Sequence, residues 1–154
     1  MWKARARRGL IAVAILLVAI QAVPYGRRHT NLPVRMEPRW DSPQTRALVV
    51  RACYDCHSNQ TIWPWYSHVA PVSWFIQGDV DQGRAAMNLS EWDRPQREAH
   101  ESAKKVQEGE MPPWAYPLVH PEARFSPAER QALIRGLTAT LGQEKEREGE
   151  PEED

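Results

Sequence analysis

The chain has 154 residues, including seven tryptophans, which is enough for one small domain with additional ends. Its formal net charge is zero, but the start of the chain is basic and its end at 144–154 is strongly acidic. The near-neutral middle excludes a nucleic-acid-binding surface, and the chain lacks a glycine-rich phosphate loop, a nucleophile elbow and a paired-carboxylate motif.

Residues 1–23 join a basic start to an apolar run over 9–23 that is interrupted by Gln21. The run is shorter than the about 20 apolar residues that span a membrane, and it suits the hydrophobic region of a signal peptide. No clean cleavage site follows, because cleavage after Ala22 places Ile20 at the outer recognition position. We therefore expect an uncleaved signal anchor, with a cleaved signal peptide as the alternative. Either way, the basic end predicts that the rest of the chain lies on the periplasmic side of the inner membrane. The basic residues are Lys3, Arg5, Arg7 and Arg8.

Residues 24–41 are rich in proline and arginine and lack periodicity, which predicts a linker or a strap over the domain. Ser42 and Pro43 then provide a helix start, with serine as N-cap and proline at the first helical position. We expect this helix to run to His57. One side of it carries Leu48, Val49, Ala52, Cys53 and Cys56.

Residues 53–57 read Cys-Tyr-Asp-Cys-His, which is the attachment signature of c-type haem. Two thiols three positions apart lie on one face of a helical turn, where each can add to one vinyl group of the same porphyrin. The motif predicts one haem c per chain, with Cys53 and Cys56 as covalent anchors and His57 as the proximal iron ligand. We expect the second ring nitrogen of His57 to donate to a backbone carbonyl near Pro64 or Pro71.

Three other interpretations of the cysteine pair are a redox dithiol, a zinc site and a disulfide. A dithiol of this spacing favours a strand–helix–strand setting, which the flanking sequence does not predict. A zinc site needs a second close pair of ligands, whereas His68, His100 and His120 are scattered. A disulfide across two residues is strained. Both cysteines of the chain lie inside the motif, which favours haem.

Residues 61–67 are aromatic around Pro64 and predict a loop over one haem edge. A second helix is predicted over 71–87, in which Gly83 favours close packing. Arg84 is a candidate partner for a haem propionate, because its planar fork matches a carboxylate, and a solvated surface arginine is the alternative. The apolar stripe of this helix is predicted to comprise Val72, Phe75 or Ile76, Val80 and Met87.

A third helix is predicted to begin at Ser90, with Asp93 completing a variant of the capping box. Pro95 is expected to split this helix, which then continues to Glu108 and ends at Gly109. The following segment carries four prolines and no periodicity over 109–125, so it is predicted to be a loop.

Within that loop, Met111 is followed by Pro112. A rigid loop can press one thioether against the open face of the iron, and c-type cytochromes often take their sixth ligand from such a Met-Pro pair. We therefore predict Met111 as the distal ligand. The competitors are His120 and His68, and core packing is the plain alternative for the methionine. Met87 is less favoured, because packing on a helix explains it.

The last helix is predicted to begin at Ser126 with a capping box and to end at Gly142. Its apolar face comprises Leu133, Ile134, Leu137 and Leu141. Residues 143–154 are charged and lack apolar side chains, which predicts a disordered tail. The predicted organisation is therefore a signal segment at 1–23, a linker at 24–41, a haem-binding domain at 42–142 and the tail.

Several runs of this chain resemble the small bacterial haem-binding domain family, and the resemblance covers residues 25–141. It implies an exported, usually membrane-anchored protein with one c-type haem, in a family whose physiological role is mostly undefined. The runs that carry the resemblance are CYDCHSNQTIWPWYS (53–67), APVSW (70–74), GR (83–84), NLSEW (88–92) and GEMPP (109–113).

We expect an all-α, cytochrome c-like domain around one covalent haem, tethered outside the inner membrane. One-electron transfer with an unidentified redox protein is the predicted role, with no enzymatic activity. The runner-up is a haem-based gas or redox sensor, or a small peroxidase-like haem enzyme, whose distal ligand is displaced. A third interpretation is a thiol-based or zinc-bound interaction module without haem.

Overall fold

The computed structural model describes residues 2–142. In this part of the chain there is no β-strand, and the single bridge joins Met36 and Glu91 in parallel. The α-helices are α1 (Trp2–Ala19), α2 (Pro43–Ala52), α3 (Tyr54–His57), α4 (Val72–Ala86), α5 (Ser102–Glu108), α6 (Tyr116–Val119) and α7 (Pro127–Leu141). Short 3-10 helices cover Ile20–Ala22, Trp65–His68, Ala99–Glu101 and Pro121–Ala123. The predicted all-α class is confirmed, and the predicted tail at 143–154 lies outside the described residues.

The hydrophobic core lies between α2, α5 and α7. Helices α5 and α2 both pack against α7. Leu133 is fully buried, and burial of such a side chain stabilises the fold by about 1.5–3 kcal/mol. Gly136 lies directly against Thr45 of α2, where a Cβ atom would clash, so the glycine permits the close approach of the two helices. The buried core side chains include Leu48, Val49, Ala103, Val106, Leu133 and Leu137.

The predicted starts of α2 and α7 are confirmed. The Ser126 hydroxyl accepts a hydrogen bond from the Glu129 amide at 3.2 Å, and the Glu129 carboxylate accepts from the Ser126 amide at 2.8 Å. The Ser42 hydroxyl accepts from the Thr45 amide at 3.1 Å. These bonds satisfy amides that have no partner inside the helix, so both helices begin where local sequence indicates.

The single helix predicted to reach His57 is wrong, because the chain breaks at Cys53. That residue has φ −122° and ψ −31°, outside the helical range, and separates α2 from α3. The physical reason is that the two segments pack on different helices, α2 on α7 and α3 on α4. The break leaves the two cysteines on different segments, one at the junction and one inside α3.

The predicted helix start at Ser90 is also wrong, since the chain forms turns there and the next α-helix begins at Ser102, whereas the predicted end at Glu108 and Gly109 is confirmed. The Ser90 hydroxyl accepts a hydrogen bond from the Asn59 amide at 2.9 Å instead of capping a helix. Asp93, the predicted capping partner, forms an ion pair with Arg35. Tertiary partners therefore replace the local cap.

Helix α4 is confirmed close to its predicted bounds, but its predicted apolar stripe is partly wrong. Val80 and Met87 are buried and Ile76 is half-buried, whereas Val72 is 43% exposed and Phe75 is 71% exposed. The small residue Ser73 is buried on this helix instead. The predicted loop at 109–125 likewise contains short helical segments, α6 and Pro121–Ala123.

Residues 24–41 form the predicted strap along the domain. The amides of Arg35 and Met36 both donate to the Ser90 carbonyl, at 2.8 and 3.1 Å. The Trp92 amide donates to the Met36 carbonyl at 2.9 Å. Further along, Glu37 accepts two hydrogen bonds from the Arg46 guanidinium, each at 2.7 Å. The strap thus connects the loop after α4 to α2.

The N-terminal segment is helical over Trp2–Ala19, and its side chains are exposed. Among the helices of the described residues, none combines the length and the apolar character needed to cross a membrane. After this helix, the Gln21 amide group donates to the Ala70 carbonyl at 2.9 Å and accepts from the Ala70 amide at 3.0 Å. The end of the N-terminal segment is therefore attached to the corner that precedes α4.

Candidate functional site

A cavity of 540 Å³ lies between α3, α4, α5 and the loop that follows α5. Its volume falls within the about 300–1,000 Å³ of ligand pockets. The polar and charged residues on its lining lie mainly on α4, on α5 and in the segment between them. Among the other lining residues are Val49, Ala52, Cys53, Cys56, His57, Ala86, Met87, Val106, Met111, Tyr116 and Leu137.

Both cysteines line this cavity as free, half-buried thiols. Burial raises the pKa of Cys53 to about 12, and the neighbouring Cys56 adds to this effect. Burial likewise raises the pKa of Cys56 to about 12, with Asp79 and Asp55 contributing. Reactive dithiols have a lowered thiol pKa, so these surroundings do not favour the redox dithiol.

His57 ends α3 and also lines the cavity. Its Nδ1 atom lies 3.2 Å from the Met87 carbonyl oxygen, which can only accept, so Nδ1 carries the proton and Nε2 keeps its lone pair. Burial lowers the pKa of His57, which favours the neutral ring that binds a metal. The acceptor predicted near Pro64 or Pro71 is wrong, because the chain brings the end of α4 to the imidazole instead.

A buried polar network holds the segment that supplies this carbonyl. The Leu89 amide donates to the His57 carbonyl at 2.7 Å. The Asn88 side chain donates to the Asn59 side-chain oxygen at 2.9 Å and accepts from the Ser90 amide at 3.0 Å. Our sequence reasoning assigned Asn59 and Asn88 no role of their own. The only sequence signal for them was that both lie in runs that carry the family resemblance, residues 53–67 and 88–92.

Met111 lines the same cavity, and its side chain is 38% exposed. The two competing ligands do not line it. His68 is exposed and packs edge-on against His29 at 4.2 Å between ring centroids. His120 stacks on Tyr116 at 4.1 Å, and its Nδ1 atom lies 3.2 Å from a Glu122 carboxylate oxygen. Of the three candidates, the structure brings only Met111 to the cavity.

Arg84 lies beside the cavity but is not part of its lining. Its guanidinium donates four hydrogen bonds within the chain. Nε bonds the Ser58 carbonyl at 2.8 Å and Nη1 the Thr30 carbonyl at 2.8 Å. Nη2 bonds the Asn31 side-chain oxygen at 3.0 Å and the Thr61 hydroxyl at 2.9 Å. Arg84 therefore connects the strap to the segment after His57, and the geometry does not favour its predicted contact with a propionate.

The cationic side chains on the cavity lining are Arg97 and Lys105. Lys105 forms an ion pair with Glu110 at 2.7 Å, whereas Arg97 is exposed beside the opening. Sequence reasoning missed Arg97, because a lone arginine in a turn region has no pattern that separates it from the other surface arginines. It is the better placed partner for an acidic group of a ligand.

Gly83 and Tyr116 complete the wall around the cysteines. A Cβ atom on Gly83 would lie 2.5 Å from the Cys56 carbonyl oxygen, so α3 and α4 approach each other through this glycine, as predicted. The Tyr116 hydroxyl donates to an Asp55 carboxylate oxygen at 2.7 Å. Burial raises the pKa of Tyr116, and the bond to Asp55 adds to this, so the phenol stays protonated and acts as a donor.

The residues around the cavity fit a haem. Two thiols, an imidazole with a free ring nitrogen and a thioether lie on one lining together with apolar side chains. These are the groups that anchor and ligate a c-type haem. In the described part of the chain, residues 2–142, no group of three or more His, Cys, Asp or Glu side chains is placed to hold a metal ion by itself.

Comparison with known proteins agrees with this fit. A family model described as a haem-binding domain matches residues 15–139, a range that contains every residue of the cavity lining. No curated protein and no solved structure matches the chain. The family resemblance found in the sequence is confirmed. The chain belongs to the haem-binding domain family.

Proposed function

We propose that this protein holds one haem covalently, as a c-type haem, and transfers single electrons. The observation that carries the proposal is that Cys53, Cys56, His57 and Met111 line one cavity. Cys53 and Cys56 are the proposed thioether anchors, His57 the proximal ligand and Met111 the distal ligand. When bound, the haem supplies an iron whose charge changes by one electron, and a histidine–methionine pair raises its potential.

The chain's own groups serve this role in three ways. The Met87 carbonyl fixes the tautomer and the orientation of His57. Apolar side chains such as Val49 and Leu137 keep water from the cavity floor. The close contact of Gly83 with Cys56 restricts movement of α3 against α4. A site with little freedom to rearrange suits a carrier, because the protein need not move when the charge changes.

Export is part of the proposal, since c-type haem is attached outside the inner membrane. The support is the basic start of the chain followed by an apolar run, whose Leu10, Ile15 and Val18 are exposed in α1. We propose that this segment directs the domain to the periplasmic side of the inner membrane, with an unidentified redox protein as partner. Fractionation of cells that produce the full chain tests this location.

A second candidate function is a haem-based sensor or a small haem enzyme. It is favoured by the position of Met111 on a loop and not on one of the longer helices. A distal ligand on a loop can be displaced by a gas or a peroxide. Rapid binding of carbon monoxide by the wild-type ferrous protein supports this function over the carrier.

The test begins with the mass and the visible spectrum of the full chain, made in cells that attach c-type haem. We expect a polypeptide heavier by one haem that survives denaturation, and the loss of this attachment when Cys53 and Cys56 are both replaced by alanine. A mass without haem overturns the proposal and revives the thiol or zinc interaction module.

The distal ligand is tested by Met111→Ala, with His120→Ala and His68→Ala as matched controls. Only the methionine variant is expected to lose the charge-transfer band of methionine-ligated ferric haem and to shift the reduction potential. If Met111→Ala keeps the wild-type spectrum while one histidine variant changes it, the assignment of Met111 is wrong.

A further inference from the structure

Asp55 lies between the two cysteines and contacts two other segments of the chain. One carboxylate oxygen accepts a hydrogen bond from the Ile62 amide at 2.8 Å. The other accepts from the Tyr116 hydroxyl at 2.7 Å. The Asp55 carbonyl also accepts from the Thr61 hydroxyl at 2.7 Å. Through this one residue, the haem-attachment segment contacts both the aromatic loop and the segment that carries Met111.

The segment that carries Met111 is held at its two ends. At the first end, the Met111 amide donates to the Lys105 carbonyl at 3.1 Å. At the second end, Tyr116 begins α6, lines the cavity and bonds Asp55. The Tyr116 amide also donates to the Pro113 carbonyl at 2.9 Å, which keeps the intervening turn closed.

Between these ends the segment has little packing of its own. Trp114 is 82% exposed, and Pro113 and Ala115 are exposed as well. Because burial contributes so little there, the position of the segment depends on its end contacts. A hydrogen bond to a carboxylate is stronger than one between neutral groups, so the Tyr116 contact is the stronger of the two.

We propose that the hydrogen bond from Tyr116 to Asp55 is a tether that holds Met111 over the cavity, which makes Tyr116 a positioning residue for the distal ligand. This inference rests on the proposed ligation by Met111. The tether joins the proposed anchoring segment to the segment that carries Met111, because its acceptor, Asp55, lies between the two cysteine anchors. Loss of the phenol oxygen frees the far end of the Met111 segment while the methionine itself stays in the chain.

The experiment compares Tyr116→Phe with Tyr25→Phe in the haem-loaded full chain. Tyr25 is exposed, and removal of its hydroxyl tests for a general effect of the substitution. The first readout is amide hydrogen exchange over residues 111–119, which measures how often this segment opens whether or not Met111 binds iron. We expect exchange there to become about tenfold faster or more in Tyr116→Phe, because a bond to a charged acceptor is worth at least a factor of ten. Unchanged exchange overturns the tether.

The second readout is the spectrum and carbon monoxide binding. In Tyr116→Phe, we expect the charge-transfer band of methionine-ligated ferric haem to weaken and carbon monoxide binding to become about tenfold faster. Tyr25→Phe is expected to match the wild type. An unchanged band and an unchanged rate in Tyr116→Phe overturn the positioning role. If the wild type has no such band, ligation by Met111 fails, and hydrogen exchange still decides whether the tether exists.

A double-mutant cycle of Tyr116→Phe with Asp55→Ala identifies the partner. Asp55→Ala also removes the acceptor for the Ile62 amide, so its own effect is larger. If the two side chains act as one tether, adding Tyr116→Phe to Asp55→Ala accelerates exchange over 111–119 by less than twofold. If the effects of the two substitutions on the exchange rate multiply fully in the double variant, Asp55 is not the acceptor of the Tyr116 hydroxyl.

Discussion

Gly83 and Cys56 touch through their backbones, so that a methyl group on Gly83 would lie 2.5 Å from the Cys56 carbonyl oxygen and 2.9 Å from its carbon. Gly78 lies on the same helix, and the nearest atom to a methyl group there is the Tyr25 hydroxyl oxygen at 3.7 Å. Helix α4 thus carries one glycine that the fold requires and one that it only tolerates.

The first prediction compares Gly83→Ala with Gly78→Ala. Alanine at position 83 overlaps backbone that cannot move without displacing Cys56, the proposed haem anchor, so we expect a loss of about 1–3 kcal/mol in the free energy of unfolding. Alanine at position 78 meets no such contact and is expected to stabilise the helix by about 0.5–1 kcal/mol. Denaturant titration measures both. Equal stability of the two variants would contradict the assigned contact.

The second prediction concerns Arg84, whose four hydrogen bonds join the strap to the segment after His57. We expect Arg84→Gln to lower the free energy of unfolding by about 1.5–3 kcal/mol and to leave the reduction potential close to that of the wild type. Arg97→Gln is the matched control, because Arg97 lines the cavity opening. It should shift the potential with little effect on stability. The reverse pattern would restore Arg84 as the partner of a propionate.

The third prediction is a pH dependence that originates at Glu37. Hydrogen bonds from Arg46 hold the pKa of Glu37 at about 2, below its ordinary value of 4.5. A lowered pKa contributes stability above pH 4.5, and this contribution is lost as the pH falls towards 2.

Glu37→Gln is therefore expected to cost about 1–2 kcal/mol at pH 7, after allowance for solvent around the partly exposed Arg46, and nothing near pH 2. Unfolding curves at several pH values measure the difference. Glu108→Gln, at an exposed position, serves as the control for the substitution itself. A constant difference across the range would exclude titration of Glu37 as the cause.

The fourth prediction tests the network that supports the Met87 carbonyl. Asn88 is buried, and removal of its amide leaves the Asn59 oxygen and the Ser90 amide without their partners. We expect Asn88→Ala to cost about 1–3 kcal/mol in the free energy of unfolding.

The same change should raise the reduction potential. A looser Met87 carbonyl weakens the bond from Nδ1, which makes the His57 ring a weaker electron donor to iron and disfavours the oxidised form. Gln60→Ala, at an exposed position in the same region, should leave the potential unchanged. If Asn88→Ala is less stable but keeps the wild-type reduction potential, the network contributes to folding and not to the potential.

The local features of this chain could be predicted from sequence. The helix starts at Ser42 and Ser126 depend on hydrogen bonds between near neighbours, and the cysteine motif keeps its three groups within five residues. The proline after Met111 predicted a loop position, and the structure places Met111 on the cavity lining, while its ligation of iron stays a prediction. In each of these cases the physical cause lies within a few residues of the feature.

The remaining features depend on partners that are distant in the chain. Ser90 has the pattern of a cap but bonds Asn59 and the strap, which competes successfully with the local cap. His57 finds a backbone carbonyl at Met87, and no side-chain pattern identifies a carbonyl. Arg84 has the chemistry to bind a propionate, but acceptors from two separate segments, the strap and the segment after His57, occupy its donors. Only the fold shows which of these partners are near.

The two hydrogen bonds between Gln21 and Ala70 have a consequence for the direction in which the site faces. A segment that is joined to a domain by one flexible linker lets that domain rotate freely, but Gln21 occupies both backbone groups of a residue that lies just before α4. Because α4 forms one wall of the cavity, these two bonds attach the end of the N-terminal segment next to that wall. The proposed redox partner would then have to approach the cavity with the N-terminal segment close by.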